Sequence, residues 1–384
     1  MKKQQVKAQR PAARLPAWFD ARVTGLVLAV KALVLLYGVQ AYVVSKNESV
    51  GSLYYDWLAV WNRWDAPHYL DIARMGYVSQ GEEARWIVFF PFYPWLVRAA
   101  SFVLRDGLLA AFFVSGVASV AAGLLLYRLA RADGEPEEVA RGAVFYLLIF
   151  PTAYFLHIGY NESLFLALAL GAFLAARGRR WGLAGALGFC AALTRVNGLL
   201  LFPALAFEAW AEYRETGRRL RAEWLWLLLV GAGFGVYLFI NWWVLGDPRA
   251  FLRIQGEHWF KSLTWPWVGI RGTLGAMWSR GASDAQMVGW QEFFFLLLGL
   301  GFTVWAWLRL RASYAVWMTC NWLLWTSTKF VLSVPRYTLV LFPAYILLGR
   351  LRASRPAWGA VVVVWSLLLL ALFAARFSQG YWAF

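Results

Sequence analysis

Charged and aromatic side chains are concentrated in WNRWDAPHYLDIARMGY, residues 61–77. At helical spacing Asp65, His68 and Tyr69 lie along one face, whereas Asp71 points elsewhere. A positioned carboxylate of this kind can accept a proton from a reacting hydroxyl group. Asp65 also suits the N-cap of a helix with a proline in its first turn. The segment alone leaves both roles open.

Two arginines stand at the ends of apolar runs, Arg195 in LTRVNG (193–198) and Arg336 in SVPRY (333–337). A cation near the membrane core is expensive and usually faces a cavity or a partner. The planar fork of a guanidinium group suits a phosphate. Snorkelling of a long side chain to the interface predicts similar positions. Because both arginines are predicted on the same face as Asp65, anion binding is favoured.

Two further blocks carry aromatic and polar side chains. FFPFYP (89–94) offers aromatic rings as a wall for a lipid tail or a sugar face, although it can also be only a proline-broken loop. FPTAYFLHIGYNES (150–163) contains His157, Asn161 and Glu162. For Glu162 we favour the simpler interpretation, in which it starts a helix and interacts with the helix dipole.

A fourth block, RAFLRIQGEHWFKSLTWPW (249–267), places Gln255, His258 and Trp259 close together. These side chains offer sugar-type hydrogen bonds beside aromatic faces. The simpler interpretation is an amphipathic helix that lies on the bilayer, and it is compatible with a role in binding substrate. The three histidines are far apart in sequence and no HExxH, Walker A or GxGxxG motif is present, so we predict neither a metal ion nor another cofactor.

The elements that must position these groups are membrane helices. Hydrophobic residues make up 61% of the 384 residues, and apolar runs of about 20 residues recur along the chain. The formal charge of +16 is spread over short gaps between these runs, so a nucleic-acid partner is not expected. The two cysteines exclude a disulfide framework, and many of the 25 Trp are expected at the membrane interface.

We predict an all-α polytopic membrane protein with about eleven spans in one domain, 1–384. The predicted spans are 23–44, 107–130, 140–156, 161–177, 181–195, 198–211, 223–245, 287–308, 313–331, 337–350 and 357–376. With the basic segment 1–22 in the cytoplasm as part of an uncleaved anchor, every short arginine cluster falls inside, as the positive-inside rule requires. The long loops 45–106 and 246–286 then face away from the cytoplasm.

One apolar stretch and one charge do not fit a simple bundle. Residues 86–104 are apolar enough to span, but Pro91 and Pro94 break a regular helix. Counting this stretch as a span would also move the later arginine clusters outside. We therefore predict a re-entrant or interfacial segment, which is tolerated only beside protein or a wet cavity. Lys31 lies near the middle of the first span and has no evident partner.

The blocks in this order resemble the PIG-V type mannosyltransferases, which add the second mannose in GPI assembly, and their bacterial relatives. The specific part is RWDAPHYLDIA followed by FFPFYP; FPTAYFLHIGYNESLF, LTRVNG, Gln255 with Trp259, and PRYTLVLFP (335–343) follow in order. The resemblance covers roughly residues 25–350. It implies a GT-C type bundle with interfacial helices in the first external loop.

The resemblance also implies an inverting transfer of a sugar, favouring mannose, from a polyprenyl- or dolichyl-phosphate donor to an acceptor hydroxyl group, with Asp65 as the base. The expected donor-binding residues are Arg63, His68, Tyr69, Arg195 and Arg336, and the expected lipid or acceptor groove contains Trp64, Phe90, Tyr93, His157, Asn161, Gln255, His258 and Trp259. Membrane lipids, an acceptor glycan, lipid or protein, and an accessory membrane subunit are the expected partners. The location would be the outer face of a bacterial plasma membrane, or the lumenal face of the endoplasmic reticulum.

Two other classes of function share many of these features. A transporter or flippase for lipid-linked sugars would show the same spans, broken helices and interfacial arginines. A non-catalytic membrane subunit would show the spans alone. Neither class needs a dense polar motif in an external loop, and no inverted repeat is evident in the sequence.

Overall fold

The chain folds as a bundle of helices in the computed structural model, which describes residues 19–51 and 53–384. The structure is 78% helical and has no strand in these ranges, where one isolated bridge pairs Leu263 with Thr328. The predicted basic segment 1–22 lies for the most part outside the described residues. The predicted all-α polytopic membrane fold is confirmed.

The α-helices in chain order are α1 (Ala21–Lys46), α2 (Tyr54–Ala59), α3 (Asp65–Met75), α4 (Phe92–Leu104), α5 (Gly107–Ala132), α6 (Glu137–Ile149), α7 (Glu162–Arg177), α8 (Trp181–Ala192), α9 (Leu201–Glu215), α10 (Leu228–Leu245), α11 (Ala250–His258), α12 (Pro266–Ser279), α13 (Ala282–Asp284), α14 (Glu292–Arg309), α15 (Ala312–Thr326), α16 (Val334–Thr338), α17 (Phe342–Ser354) and α18 (Pro356–Ser378). Short 3₁₀ segments cover Glu82–Val88, Ala153–Leu156, Val196–Leu200 and Ala222–Leu227, and a π-helical turn covers Ala285–Gln291.

Five helical stretches of the described chain are long and apolar enough to cross a membrane on their own: α1, α5, α10 with its 3₁₀ start, α14 with the turns before it, and α18. The other six predicted spans coincide with shorter helices of 12 to 16 residues, α6 to α9, α15 and α17. Some predicted boundaries were wrong. The span predicted at 140–156 ends at Ile149, since the residue before Pro151 is disfavoured in a helix.

The predicted break in residues 86–104 is present. The 3₁₀ segment Glu82–Val88 and α4 meet at an angle of 113°. Pro91 stands at the break, whereas Pro94 lies inside the first turn of α4, where proline is tolerated. The irregular backbone is tied to its surroundings: the N–H of Phe92 donates to the carbonyl of Leu193 (3.0 Å), and the Tyr237 hydroxyl donates to the carbonyl of Ile87 (2.7 Å).

Close helix contacts hold the bundle together. α7 packs against α5 and α8, α6 against α17, and α1 against α18. Where α1 meets the chain that leads into α3, the fully buried ring of Trp61 lies on Gly38. A Cβ atom at Gly38 would lie 2.0 Å from that ring, so only glycine allows this approach. The contact seats the start of the first external loop on the first span.

The second predicted loop, 246–286, is largely helical. α11 turns Phe251 and Ile254 inward, where they pack on residues of α10 and on the segment that precedes α4. The interpretation in which this amphipathic face lies on the bilayer was therefore wrong, because the protein itself supplies the apolar partner. His258, at the end of α11, is exposed.

A buried carboxylate holds the segment that leads into α16. Glu292, the first residue of α14, is fully buried and accepts the N–H groups of Ser333 (2.6 Å) and Val334 (2.7 Å). Ser333 has a left-handed backbone with φ of 73°. Glu292 thus satisfies two N–H groups at the start of α16 that have no partner inside the helix. The position of Arg336, two residues farther on, depends on this contact.

We expect loops 45–106 and 246–286 to face the same, non-cytoplasmic side. In a Cys190→Ala, Cys320→Ala background, single cysteines at the exposed positions Ser79 and Ser283 should react with a membrane-impermeant reagent in intact cells. A cysteine at exposed Ser354 should react only after permeabilisation. The reverse pattern would contradict the orientation.

Replacing Glu292 with Gln should loosen α16. One carboxylate oxygen becomes an amide N–H group that faces a backbone N–H group, and a buried donor left without a partner costs about 1–3 kcal/mol. Hydrogen exchange should show loss of protection at Ser333 and Val334, and unfolding in mixed micelles should show the lower stability. Glu257→Gln, which changes an exposed carboxylate, is the control and should change stability by about 0.5 kcal/mol or less. Unchanged protection in Glu292→Gln would contradict this role.

Candidate active site

Four charged side chains from distant parts of the chain meet in one ionic cluster: Asp65, Glu162, Arg195 and Arg336. Arg336 donates through Nη1 to Oδ2 of Asp65 at 2.6 Å and through Nε to Oε1 of Glu162. Arg195 donates through Nη1 to the same Glu162 oxygen and to Oδ1 of Asn161, the latter at 2.7 Å. Glu162 is therefore the shared partner of both arginines.

The members of the ionic cluster differ in how far they reach solvent. The Glu162 side chain is fully buried, and the Arg336 and Arg195 side chains are 8% and 11% exposed. The Asp65 side chain is 26% exposed and is the most accessible of the four. Buried charges are tolerated when they are paired and hydrogen-bonded. The arrangement thus leaves Asp65 as the carboxylate that a ligand can reach.

The backbone around Asp65 is held in an unusual shape. Trp64 has φ of 57° and ψ of −109°, a backbone conformation that residues other than glycine rarely adopt. The hydroxyl group of Tyr160 donates to the carbonyl of Arg63 (2.8 Å) and accepts the N–H of Asp65 (3.1 Å). This bridge compensates for the turn at Trp64 and fixes the direction in which Asp65 leaves the chain.

The predicted N-cap role of Asp65 was wrong. The capping position is Trp64, Asp65 is the first residue of α3, and the Asp65 side chain makes no capping hydrogen bond. Its carboxylate turns to Arg336 instead. The charge on Arg336 offers a stronger partner than an uncharged backbone N–H group.

Arg336 is held by aromatic faces as well as by carboxylates. Its guanidinium carbon lies 4.8 Å from the ring centres of both Phe155 and Tyr160. The carbonyl of Pro335 accepts the Thr152 hydroxyl at 2.9 Å. The segment 150–161 therefore holds both the arginine and, through Tyr160, the backbone of Asp65.

The ionic cluster borders a cavity of about 590 Å³. Its lining contains both polar and apolar side chains, which we call the polar wall and the apolar wall. The polar wall contains Asp65, Tyr69, Asn161, Thr194, Arg195, Asn197, Gln255, Lys261, Ser262, Thr328, Arg336 and Tyr337. The apolar wall contains Val88, Phe89, Phe90, Val196, Phe234, Phe251, Leu252, Leu263, Leu324 and Trp325. A ligand with a charged head and an apolar tail would find partners of both kinds in this lining.

Seven of the residues singled out in the sequence line the cavity: Asp65, Tyr69, Phe90, Asn161, Arg195, Gln255 and Arg336. They come from α3, the break before α4, the chain before α7, the turn after α8, α11 and α16. Burial raises the pKa of Tyr69 above its ordinary value, with a smaller contribution from the charge on Asp65. Tyr69 is therefore a protonated hydroxyl group that can donate a hydrogen bond.

Three other predicted residues of the first loop lie beside the cavity rather than in its lining. The side chain of Arg63 donates to the carbonyl of Val60 at 3.2 Å. The ring of His68 packs on Trp86, with centres 5.0 Å apart. Burial lowers the pKa of His68, and the charge on Asp65 opposes this only in part, so a neutral ring is favoured. Trp64 is 42% exposed.

Tyr93 and His157 are buried in the helix bundle and do not line the cavity. The hydroxyl group of Tyr93, which is fully buried, bonds with Oγ of Ser115 at 3.0 Å and braces α4 against α5. His157 is also fully buried, and neither ring nitrogen has a hydrogen-bond partner within the described residues. Its carbonyl accepts the ammonium of Lys31 at 2.6 Å. Lys31, which had no evident partner in the sequence, thus supports segment 150–161.

The last two predicted residues belong to the end of α11. Trp259 contacts Phe89 edge to face, with ring centres 5.9 Å apart, and so packs on a residue of the apolar wall. His258 points to solvent and is absent from the cavity lining. Of this block, Gln255 and Lys261 reach the cavity.

Sequence reasoning undervalued two groups. Glu162 is the first residue of α7, as expected, but its carboxylate joins the two arginines instead of serving the helix alone. A carboxylate at membrane depth on the same face as two arginines is the signal that could have shown this. Lys261 belongs to the block 249–267 but was not among the predicted site residues, yet its side chain reaches the cavity.

The chemistry open to this site is that of a carboxylate beside a polar, cationic wall. Asp65 can accept a proton, and Arg195, Lys261 and several hydroxyl or amide groups can donate hydrogen bonds to an anion. Within the described residues, no group of three or more His, Cys, Asp or Glu comes together in a way that could hold a metal ion. Independence from metals stays a prediction.

Comparison with known proteins gives a likeness of fold. No family model and no curated protein matches the chain. Among solved structures, ArnT from Cupriavidus metallidurans bound to undecaprenyl phosphate matches with a TM-score of 0.51 and 16% identity, covering 94% of this chain and 72% of ArnT. The Archaeoglobus fulgidus oligosaccharyltransferase AglB, in complex with an inhibitory peptide and a dolichol-phosphate, has a TM-score of 0.45 and 14% identity over 94% of this chain.

The chain spans about 56% of the length of the oligosaccharyltransferase. ArnT and AglB are both GT-C glycosyltransferases. The match to ArnT extends over nearly all of the chain, so the likeness concerns the whole bundle and not one helix pair. The chain therefore has a membrane fold like that of ArnT.

Proposed function

We propose that this protein is a membrane glycosyltransferase that moves a sugar from a polyprenyl-phosphate donor to an acceptor hydroxyl group on the non-cytoplasmic face. The observation that carries the proposal is the position of Asp65. Its carboxylate is the accessible member of a buried ionic cluster and lines a cavity that offers both polar and apolar side chains. The likeness to ArnT in fold supports it, since that structure holds undecaprenyl phosphate.

Each part of the reaction has a group that suits it. The polyprenyl chain would lie along the apolar wall, and the phosphate would face the polar wall near Arg195. Asp65 would accept the proton of the attacking hydroxyl group. Attack opposite the leaving phosphate inverts the anomeric carbon. Cationic side chains would stabilise the charge that grows on the phosphate as the glycosidic bond breaks.

Mannose is the proposed sugar, and its support is the resemblance of RWDAPHYLDIA and FFPFYP to the PIG-V type motifs. The cavity lining supports a donor with a charged phosphate and an apolar lipid chain, but it does not favour one particular sugar. The acceptor, an accessory subunit and the location in a bacterial plasma membrane or the endoplasmic reticulum remain proposals of the same origin.

The test is a transfer assay with purified protein in liposomes. Polyprenyl-phosphate-mannose, labelled in the sugar, should yield a mannosylated product from a panel of acceptors together with free polyprenyl phosphate. The product should carry the inverted anomeric configuration. Polyprenyl-phosphate-glucose should react more slowly. Movement of the intact donor between leaflets without product would instead favour the transporter, and inactivity in both assays would favour a non-catalytic subunit.

Asp65→Asn should leave a folded protein that binds donor but has lost most turnover. Asparagine keeps the size of the side chain and an oxygen for Arg336, yet it cannot take a proton. Positioned acid–base groups contribute about 10²–10⁴-fold, so kcat should fall by that order while donor affinity changes little. Single-turnover transfer and donor binding would measure the two effects.

Asp71→Asn is the matched control. Asp71 lies on another face of α3, pairs with exposed Arg74 at 3.6 Å, and is absent from the cavity wall. Its loss should change kcat by about threefold or less, because exposed ion pairs contribute little. Near-normal turnover in a well-folded Asp65→Asn protein, or an equal loss in both variants, would contradict the assignment of Asp65 as the base.

A further inference from the structure

The arginines of the ionic cluster are already matched by carboxylates. Arg336 is paired with Asp65 and Glu162, and Arg195 is paired with Glu162. Two guanidinium groups are therefore balanced by two carboxylates at a site that is largely shielded from solvent. An anionic ligand that approached Arg336 would meet the carboxylates of its partners and be repelled by them. The cluster by itself is suited to hold Asp65 more than to attract a phosphate.

Lys261 differs from these arginines. It lines the same cavity, and no carboxylate lies within 4 Å of its ammonium group in the described chain. Its Nζ donates to the hydroxyl of Tyr337 (2.6 Å) and to the carbonyl of Leu332 (3.2 Å). An ammonium group has three protons, so one remains for a further acceptor.

Tyr337 links Lys261 to Arg195. The Lys261 ammonium lies 4.9 Å and the Arg195 guanidinium carbon 5.7 Å from the centre of the Tyr337 ring. The Tyr337 hydroxyl accepts a hydrogen bond from Lys261 and so has its own O–H to donate to another group. All three residues line the cavity, which places two cations and one hydroxyl donor side by side on its polar wall.

A structural tether does not explain the lysine. The segment that contains Lys261 is already joined to the chain before α16 by backbone bonds. The N–H of Thr264 donates to the carbonyl of Ser327 (3.0 Å), and the N–H of Lys329 donates to the carbonyl of Ser262 (2.8 Å). Since two backbone hydrogen bonds already join these segments, the lysine side chain is not needed to hold them together.

We propose that Lys261, with the hydroxyl group of Tyr337 and the neighbouring Arg195, is the binding site for the phosphate of the lipid donor. The proposal rests on the proposed function and assigns a different task to each cation. Arg336 positions Asp65, whereas Lys261 takes the phosphate. As the glycosidic bond breaks, the bonding electrons remain on the phosphate oxygen, and a cation with no carboxylate in direct contact stabilises that added charge.

The test compares binding of undecaprenyl phosphate and uncharged undecaprenol to purified protein in nanodiscs. The wild-type protein should prefer the phosphate. In Lys261→Met we expect the affinity for undecaprenyl phosphate to fall roughly tenfold to hundredfold, the range of a hydrogen bond to a charged group. Affinity for undecaprenol should stay within about twofold, because the apolar wall is intact. Tyr337→Phe should lower phosphate affinity by a smaller factor, roughly threefold to tenfold.

Arg253→Met is the control for charge. Arg253 lies on α11 in the same loop, pairs with Glu257, and is absent from the cavity wall. This variant loses the same formal charge but should bind both lipids as the wild type does. An equal loss of phosphate affinity in Arg253→Met would show a general surface effect and overturn the proposal.

The outcomes separate the inference from the proposed function. If the wild-type protein does not distinguish undecaprenyl phosphate from undecaprenol, the lipid-phosphate donor itself is wrong. If it does, but Lys261→Met keeps the preference, the assignment of the phosphate to Lys261 is wrong. Should Lys261→Met fail to fold, Tyr337→Phe decides, since it removes only one hydroxyl group; an unchanged preference there would overturn the proposal.

Discussion

The site depends on one buried carboxylate that two arginines share. Glu162 is fully buried and accepts from both Arg195 and Arg336. Without it, two guanidinium groups would stand close together in a region of low dielectric, where unpaired charges are strongly disfavoured. With it, Arg336 is free to present a second N–H group to Asp65. The chain of contacts from Glu162 to Arg336 to Asp65 sets the position of the proposed base.

These charges lie where helices begin or are interrupted. Asp65 and Glu162 are the first residues of α3 and α7, Arg336 lies in the short helix α16, and Arg195 lies in the turn after α8. Segment 150–161, the turn after α8 and the chain before α16 are all interruptions between helices. Interruptions at membrane depth are tolerated where protein groups satisfy the freed backbone. Lys31, Glu292 and Tyr160 do this here, each by a hydrogen bond to one of the interruptions or to the start of α3. The long helices provide the frame, and these three side chains fix the loops within it.

Much of the fold follows from the sequence because it depends on local properties. Apolar length predicts the spans, and Pro91 predicts the break before α4. Some predicted ends of the spans differ from the helix ends in the structure. The predicted span 337–350 is a continuous helix only from Phe342, after the short helix α16 that contains Arg336, since contacts of Glu292 and Thr152 hold α16 in place. Such contacts join residues far apart in sequence and have no local signal.

The same difference between local signals and contacts of distant residues explains which site residues could be predicted. Asp65, Arg195 and Arg336 are conspicuous because charged residues beside apolar runs are rare. The partner that unites them, Glu162, looks like an ordinary first residue of a helix. His157 and Tyr93 look like site residues, yet they are fully buried in the interior. Sequence shows which residues are unusual, whereas burial and pairing are decided by how helices from distant parts of the chain pack.

The central claim is that this cavity holds a lipid-phosphate sugar with its reacting carbon beside Asp65. Cryo-electron microscopy of the Asp65→Asn protein in nanodiscs with polyprenyl-phosphate-mannose tests it most directly. We expect the prenyl chain against the apolar residue Phe234, the phosphate between Arg195 and Lys261, and the anomeric carbon facing residue 65. A donor bound elsewhere, or one whose sugar points away from residue 65, would contradict the account.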